Sequence, residues 1–384
     1  MAKAEDYHTV ESLRKICKRK IPNVAFSYLE SGTDKEILLK KNTEQFDSIS
    51  FIPRYCLGVK ISELKTELFG FKYDAPIGIA PVGLTGLIWP NAEKHLSLSA
   101  FKNNIPFCLS TVATMSPEEI DPRNQIKTEN KWFQLYPPKD LNILDSLLER
   151  AVECNFSVLV VTVDIPAPSR RERSKHAGLN IPLKFSSRLI LDGLRHPKWT
   201  IETLFNGLPR LKTVESYTNN NDLRFVSKFV GNRLGGSVNW DYIKLIRNKW
   251  KGPMVIKGLL SQEDALLAKK MNVDGVYVSN HGGRQFDGGV SCLTQLKEIR
   301  QAVGPDFPLI YDSGIRSGLD VFKAINFGAN FVFAGRPFMY GLGAFKEQGV
   351  NQVIEILKDQ LRNNMMQLGL TDINEISELK SKQV

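Results

Sequence analysis

The stretch Val158-Leu159-Val160-Val161-Thr162-Val163-Asp164 holds the key to the fold. Its apolar, β-branched run is too short for a helix core and shows no alternation of apolar and polar residues. Such a run reads as a strand buried on both faces, as in a parallel sheet covered by helices. It ends on an ionisable residue, Asp164. Seven further runs of this kind occur, which gives eight in all: residues 77–80, 107–110, 132–136, 158–163, 254–257, 275–278, 309–312 and 331–334. Stretches of helical length separate them. Eight strands alternating with helices predict an α/β fold, a (β/α)8 TIM barrel. The competing arrangement is a doubly wound sheet with a second domain.

Six of the seven start-to-start gaps are 21 to 34 residues, whereas the fourth is 96. A long insertion therefore follows the fourth strand. Upstream, residues 9–47 read as helical: Val10, Leu13, Ile16 and Cys17 share one face, and Pro22 opens a second helix that runs toward Gly32. Asp34 is expected to cap a third helix, which carries Ile37, Leu38 and Phe46. The expected organisation is a helical extension over 1–75, a barrel over 76–375 that includes a basic amphipathic insertion over 175–236, and a tail over 376–384.

Composition narrows the function. Charged residues make up 24% and hydrophobic residues 42% of 384 residues, the balance of a folded globular protein. Five cysteines without a C-x-x-C spacing exclude a disulfide scaffold and a cysteine zinc site, and favour a reducing compartment. No metal site is expected. Residues 1–20 lack the apolar core of a signal peptide. The longest apolar run, 156–165, is too short to span a bilayer. The net charge is +10, and residues 166–236, with 13 Lys/Arg against 5 Asp/Glu, carry most of it. No zinc spacing, ribonucleoprotein-type motif or aromatic-interleaved basic strand accompanies this charge, which speaks against nucleic acid.

Barrels of this class work at the carboxyl ends of their strands. Those ends collect Pro81, Val82 and Gly83; Ser110; Gln134 and Tyr136; Thr162 and Asp164; Lys257; Ser279, His281 and Arg284; Asp312, Ser313, Gly314 and Arg316; and Gly335 and Arg336. Glycines and arginines after the seventh and eighth strands suit a phosphate. His281 reads as a general base or as a loop histidine, and Asp164 as its partner or as a rim ion pair. Arg171 and Arg284 can fork a carboxylate, although Arg171 also sits in a solvated basic cluster. Lys257 can neutralise a reduced cofactor or simply pair with a buried aspartate.

The run Ser279-Asn280-His281-Gly282-Gly283-Arg284-Gln285 resembles the signature of the FMN-dependent 2-hydroxy-acid dehydrogenases and oxidases. Tyr28-Leu29-Glu30-Ser31-Gly32, Phe133-Gln134-Leu135-Tyr136, Val255-Ile256-Lys257-Gly258 and Gly335-Arg336-Pro337 extend the likeness over about residues 5 to 375. The resemblance implies FMN as cofactor and oxidation of an L-2-hydroxy acid to the 2-oxo acid. It makes His281 the base paired with Asp164, and Arg171 and Arg284 the carboxylate ligands, with help from Tyr28. Tyr136 would face the substrate hydroxyl, and Lys257 the N1/O2 edge of the flavin. The backbone near Pro81, Val82 and Gly83, with Ser110, Gln134 and Thr162, would line the isoalloxazine. Asp312, Ser313, Gly314, Arg316, Gly335 and Arg336 would hold the ribityl phosphate, beside Ser279.

Where glycolate oxidase carries a tryptophan this chain has Val112, which opens the substrate pocket. The insertion, with His176 to Pro182 and Leu191 to Trp199, resembles that of the membrane-bound bacterial lactate and mandelate dehydrogenases. Leu189, Ile190, Leu191, Leu194, Trp199, Ile201, Leu204 and Phe205 lie among Arg188, Arg195, Lys198 and Arg210, a pattern suited to an anionic membrane surface. A lid over the barrel is the other reading. The resulting expectation is L-lactate as substrate, a membrane quinone as acceptor, a peripheral site on the cytoplasmic face of the inner membrane, and a homotetramer. (S)-mandelate as substrate and a soluble, oxygen-using oxidase are the alternatives, and outside catalysis an inert flavin scaffold.

Overall fold

The computed structural model describes residues 3–383 apart from 60–61, 122–124, 180–186, 219–229, 232 and 236–237. Residues 180–182 and 219–221 and the side chains of Arg188 and Leu189 therefore lie outside the described residues.

Eight parallel strands close into a barrel: β1 (Ile77–Ile79), β2 (Phe107–Ser110), β3 (Lys131–Leu135), β4 (Val158–Thr162), β5 (Met254–Leu259), β6 (Gly275–Val278), β7 (Leu309–Tyr311) and β8 (Phe331–Ala334). Val332 pairs with Ile77 and Ala334 with Ile79, so β8 returns to β1 and the doubly wound sheet is excluded. Side chains alternate between the two faces of each strand. Cys108, Trp132, Val160, Val255, Tyr277, Ile310 and Phe333 fill the interior. Leu109, Phe133, Leu159, Ile256 and Val276 join the core shared with the outer helices. With both faces apolar, the strands lose the alternation that marks a half-exposed sheet, which is why they read as continuous runs.

The extension forms three helices. α1 (Val10–Lys20) starts at Thr9, whose hydroxyl accepts the Ser12 N–H. It buries Val10, Leu13 and Cys17 and packs along the long C-terminal segment Arg336–Gln367. That segment is broken at Phe345 and Lys346, where the backbone leaves the helical region. α2 (Asn23–Glu30) gives way to extended backbone at Ser31, and α3 covers Ile37–Glu44. Asp34 does not cap α3, contrary to expectation. The cap position is Glu36, in a left-handed conformation with no side-chain cap bond. The free N–H of Leu38 instead donates to Asp287 Oδ1 at 2.8 Å, a cap supplied from the far end of the chain. Leu38 and Phe46 are buried as expected, whereas Ile37 is exposed.

Between β4 and β5 the insertion forms helices including Ser187–Arg195 and Pro197–Asn206. One face of Pro197–Asn206 is docked on the barrel. Trp199 Nε1 donates to the carbonyls of Leu87 and Ile88, Thr203 is buried, and Glu202 accepts from Trp89 Nε1 and pairs with Lys346. The other face is bare: Ile201, Leu204 and Phe205 are exposed, Phe205 by 88%, together with Ile190, Leu191 and Leu194 on the preceding helix. At the opposite end, Lys382 and Gln383 pair antiparallel with Ser50 and Ile49, which ties the terminal residues to the extension.

Candidate active site

A cleft of ≈ 870 Å³, open solvent included, lies at the carboxyl mouth of the barrel. It gathers Tyr28, Pro81, Val82, Gly83, Val112, Tyr136, Arg171, Lys257, His281 and Arg284, and then Asp312, Ser313, Gly314, Arg316, Gly335 and Arg336. Residues from every part of the chain meet here because each strand delivers its following loop to the same rim.

His281 follows β6 in a left-handed conformation (φ 58°), as do Gly282 and Gly283. Its Nδ1 lies 2.9 Å from Asp164 Oδ1, the residue after the β4 run. A carboxylate only accepts, so Nδ1 donates, and in the neutral ring this makes Nε2 the acceptor. Nε2 faces the Tyr136 hydroxyl at 3.4 Å. Burial, and then the charge of Asp164, push the Tyr136 phenol up, so it remains protonated.

Arg171 and Arg284 line the same space. Arg284 is buried, donates through Nη2 to the carbonyls of Tyr28 (3.1 Å) and Leu29 (2.7 Å), and stacks on the Tyr28 ring. Burial, and then the positive charge of Arg171, push its guanidinium down to about 10. Two like charges held this way favour an anion between them. Tyr28 hydroxyl donates its single proton to Gly83 O at 2.7 Å. Bonding to a substrate carboxylate, the role expected of it, would require that proton to leave Gly83. Val112 packs so closely that a Cβ on Gly83 would lie 2.5 Å from Val112 Cγ2.

Lys257 makes the buried aspartate pair that one of its sequence readings expected. Its ammonium lines the cleft, and it also donates to Ser279 Oγ (2.5 Å) and Asp312 Oδ2 (2.8 Å), over the Tyr277 ring. Burial alone would raise the Asp312 carboxyl. Lys257 and the donors Ser279 and Ser313 outweigh it and hold the group below the usual carboxylate range. Ser279 is fully buried behind the cleft, and its Oγ also accepts the His281 N–H. Ser110 is likewise a supporting residue, its hydroxyl donating to Gln134 Oε1.

Among the buried polar atoms that find no hydrogen-bond partner among the described residues are Gln134 Nε2 and Thr162 Oγ1. Buried polar groups are rarely left so, and these two sit at the strand ends under the cleft. At the other end of the cleft, Arg316 Nη1 donates to Ile315 O, the one side-chain hydrogen bond it makes among the described residues. Arg336 is more committed: it donates to Leu29 O, Gly282 O and Ser31 O, each at 3.0 Å. Burial, and then Arg284 and Arg316, push Arg336 down to about 9. Uncompensated guanidinium charge, a helix starting at Arg336 and the turn at Gly314 suit a phosphate, and the two orphaned atoms suit the heteroatoms of a flavin ring. The residues present fit FMN.

The sequence reading gave no role to several residues with no chemical signature: Leu29, Ala80, Ile315, Phe333 and Ala334 also line the cleft. It also missed Asn42, whose signal was available, since Leu38, Asn42 and Phe46 fall four apart and put an amide on an apolar stripe.

Residues 17–382 match the family described as FMN-dependent dehydrogenase. The chain is 37% identical over 366 residues to an L-lactate dehydrogenase of Pseudomonas paraeruginosa, covering 95% of each. It is 33% identical over 374 residues to an (S)-mandelate dehydrogenase of Pseudomonas putida, covering 97% of this chain and 93% of that one. The crystal structure of the monotopic membrane protein (S)-mandelate dehydrogenase superposes with a TM-score of 0.93 at 33% identity, over 99% of this chain and 100% of that chain.

Proposed function

The chain belongs to the FMN-dependent dehydrogenase family, and from that premise we propose that it oxidises an L-2-hydroxy acid, L-lactate foremost, and passes the electrons to a membrane quinone. The observation that carries the reading is the His281–Asp164 pair sharing one cleft with the Arg171–Arg284 fork and the Lys257 ammonium.

FMN, when bound in the cleft, would supply the two-electron acceptor. Arg284 and Arg171 hold the substrate carboxylate by charge-assisted hydrogen bonds. His281 takes a proton from the substrate at Nε2. Asp164 fixes the tautomer and stabilises the imidazolium that results. Tyr136, kept protonated, offers a hydrogen bond beside Nε2. Lys257, paired with Asp312, places a fixed cation in the cleft where negative charge collects. Val112 against Gly83 suits a short aliphatic side chain, which supports lactate over mandelate.

The bare face of the insertion supports a peripheral membrane site. Its apolar residues are flanked by exposed Arg195 and Lys198, the pattern of a monotopic interfacial helix on anionic lipid. No helix among the described residues is long and apolar enough to cross a membrane. The docking of Trp199 and Glu202 on the barrel supports this reading over a mobile lid. Enzyme reduced with L-lactate is expected to reoxidise faster with a quinone analogue than with air, and rapid stoichiometric peroxide would establish an oxidase instead.

A further inference from the structure

Asn42 lies on α3, outside the barrel, 239 positions before the proposed base. It is 2% exposed, and it faces Asn280, 7% exposed, the residue before His281. The two amides bond reciprocally: Asn42 Nδ2 donates to Asn280 Oδ1 at 2.9 Å, and Asn280 Nδ2 donates to Asn42 Oδ1 at 2.7 Å. Asn280 Oδ1 also accepts the Gly283 N–H at 3.1 Å, spanning the three left-handed residues His281, Gly282 and Gly283. A histidine holds that conformation only where its surroundings over-determine it. Asn42 also reaches the neighbouring loop: a Cβ on Gly314 (φ 96°) would lie 1.7 Å from Asn42 O. Ser313 joins the two loops, its Oγ accepting the N–H groups of Asn280 (3.4 Å) and Gly282 (3.2 Å).

We propose that Asn42 is a positioning residue for His281: by clamping Asn280 it fixes the 280–283 turn, and so aims the imidazole that Asp164 then orients. This rests on His281 being the base of the proposed reaction. An amide suits the place because it supplies a donor and an acceptor at once, and a buried Asn280 Nδ2 left without its acceptor would be driven to reorganise.

The test uses the FMN-loaded protein with Asn42→Leu, which keeps the branched shape and removes both bonds, and Asn42→Ser, which keeps one hydrogen-bonding group. Amide exchange at Gly283 should quicken about tenfold or more in the leucine variant and less in the serine variant, with the barrel strands unchanged. The limiting rate of flavin reduction should fall about 10- to 100-fold, as expected of a misplaced reacting group, while KM stays within about threefold and FMN content is unchanged. The serine variant should lie between. Unchanged exchange, a rate within twofold of the parent, or a rate that falls only in step with lost FMN would overturn the proposal. Should the leucine variant not fold, the serine variant decides by the same criteria. If the parent protein is reduced by no 2-hydroxy acid, the functional reading fails, and with it the assignment of a positioning role, while the exchange measurement still reports whether Asn42 clamps the loop.

Discussion

Lys257 and Asp312 form an ion pair, Nζ to Oδ2 2.8 Å, with only 4% and 12% of their side chains exposed. Breaking such a pair by removing one partner leaves a buried charge and costs about 3–5 kcal/mol. The Asp312 carboxyl is held below its unfolded value. Its contribution is therefore complete above the unfolded pKa and is lost as pH falls through the lower, folded one. In Lys257→Met the cation is gone and burial prevails, so the carboxyl is driven up. Urea unfolding of the variant should show a large deficit at neutral pH that shrinks as acid neutralises Asp312. An equal deficit at both pH values would refute this coupling.

Asp164→Asn keeps an acceptor near His281 Nδ1 but removes the charge that stabilises the imidazolium. The rate of flavin reduction should drop about 10²- to 10⁴-fold, the usual contribution of a working acid–base pair. Far-ultraviolet dichroism and FMN content should match the parent. A loss below threefold would make the His281–Asp164 contact a structural one.

Arg316 and Arg336 should separate in their effects. Arg316 spends little on the protein, so Arg316→Met should weaken FMN binding about 10- to 100-fold, the worth of a charge-assisted bond, and leave apoprotein stability nearly unchanged. Arg336→Met strands the carbonyls of Ser31 and Gly282 and leaves that of Leu29 to Arg284 alone. It should lower apoprotein stability by about 2 kcal/mol or more. Titration of apoprotein with FMN and denaturant unfolding tell the two apart.

The exposed face of Pro197–Asn206 should carry membrane affinity. Phe205→Glu with Leu204→Glu should cut binding to anionic vesicles at least tenfold, since burying each apolar side chain is worth about 1.5–3 kcal/mol. Reduction by L-lactate should be unaffected. Flotation with vesicles measures the first and stopped-flow absorbance the second; undiminished flotation would remove this face from the membrane account.

How far the sequence could be read follows from the range of the interactions. Strand runs are local, and β2, β6 and β8 begin and end where expected. Rim chemistry is nearly as local, because an ionisable residue just after a strand is carried to the mouth; Asp164 and His281 were placed there this way, whereas Lys257 lies within β5, two residues before its end. Hydrogen bonds between distant segments leave no such trace. The cap on α3 comes from Asp287 rather than Asp34, Tyr28 gives its proton to Gly83, and Arg336 is occupied by the end of α2. Each turns on a partner's carbonyl or carboxylate arriving from elsewhere in the fold, which periodicity cannot report. Asn42 lies between these cases: its place on the stripe was legible, its partner was not.

The central claim is that His281, oriented by Asp164, removes a proton from an L-2-hydroxy acid bound beside FMN. Anaerobic mixing of the parent protein and His281→Gln with L- and D-lactate, following the flavin absorbance, tests it most directly. The parent should bleach with the L-acid and not the D-acid, and the variant should keep its yellow flavin yet bleach at least about 10²-fold more slowly. Equal bleaching of parent and variant, or no bleaching of the parent with this or any other L-2-hydroxy acid, would contradict the account.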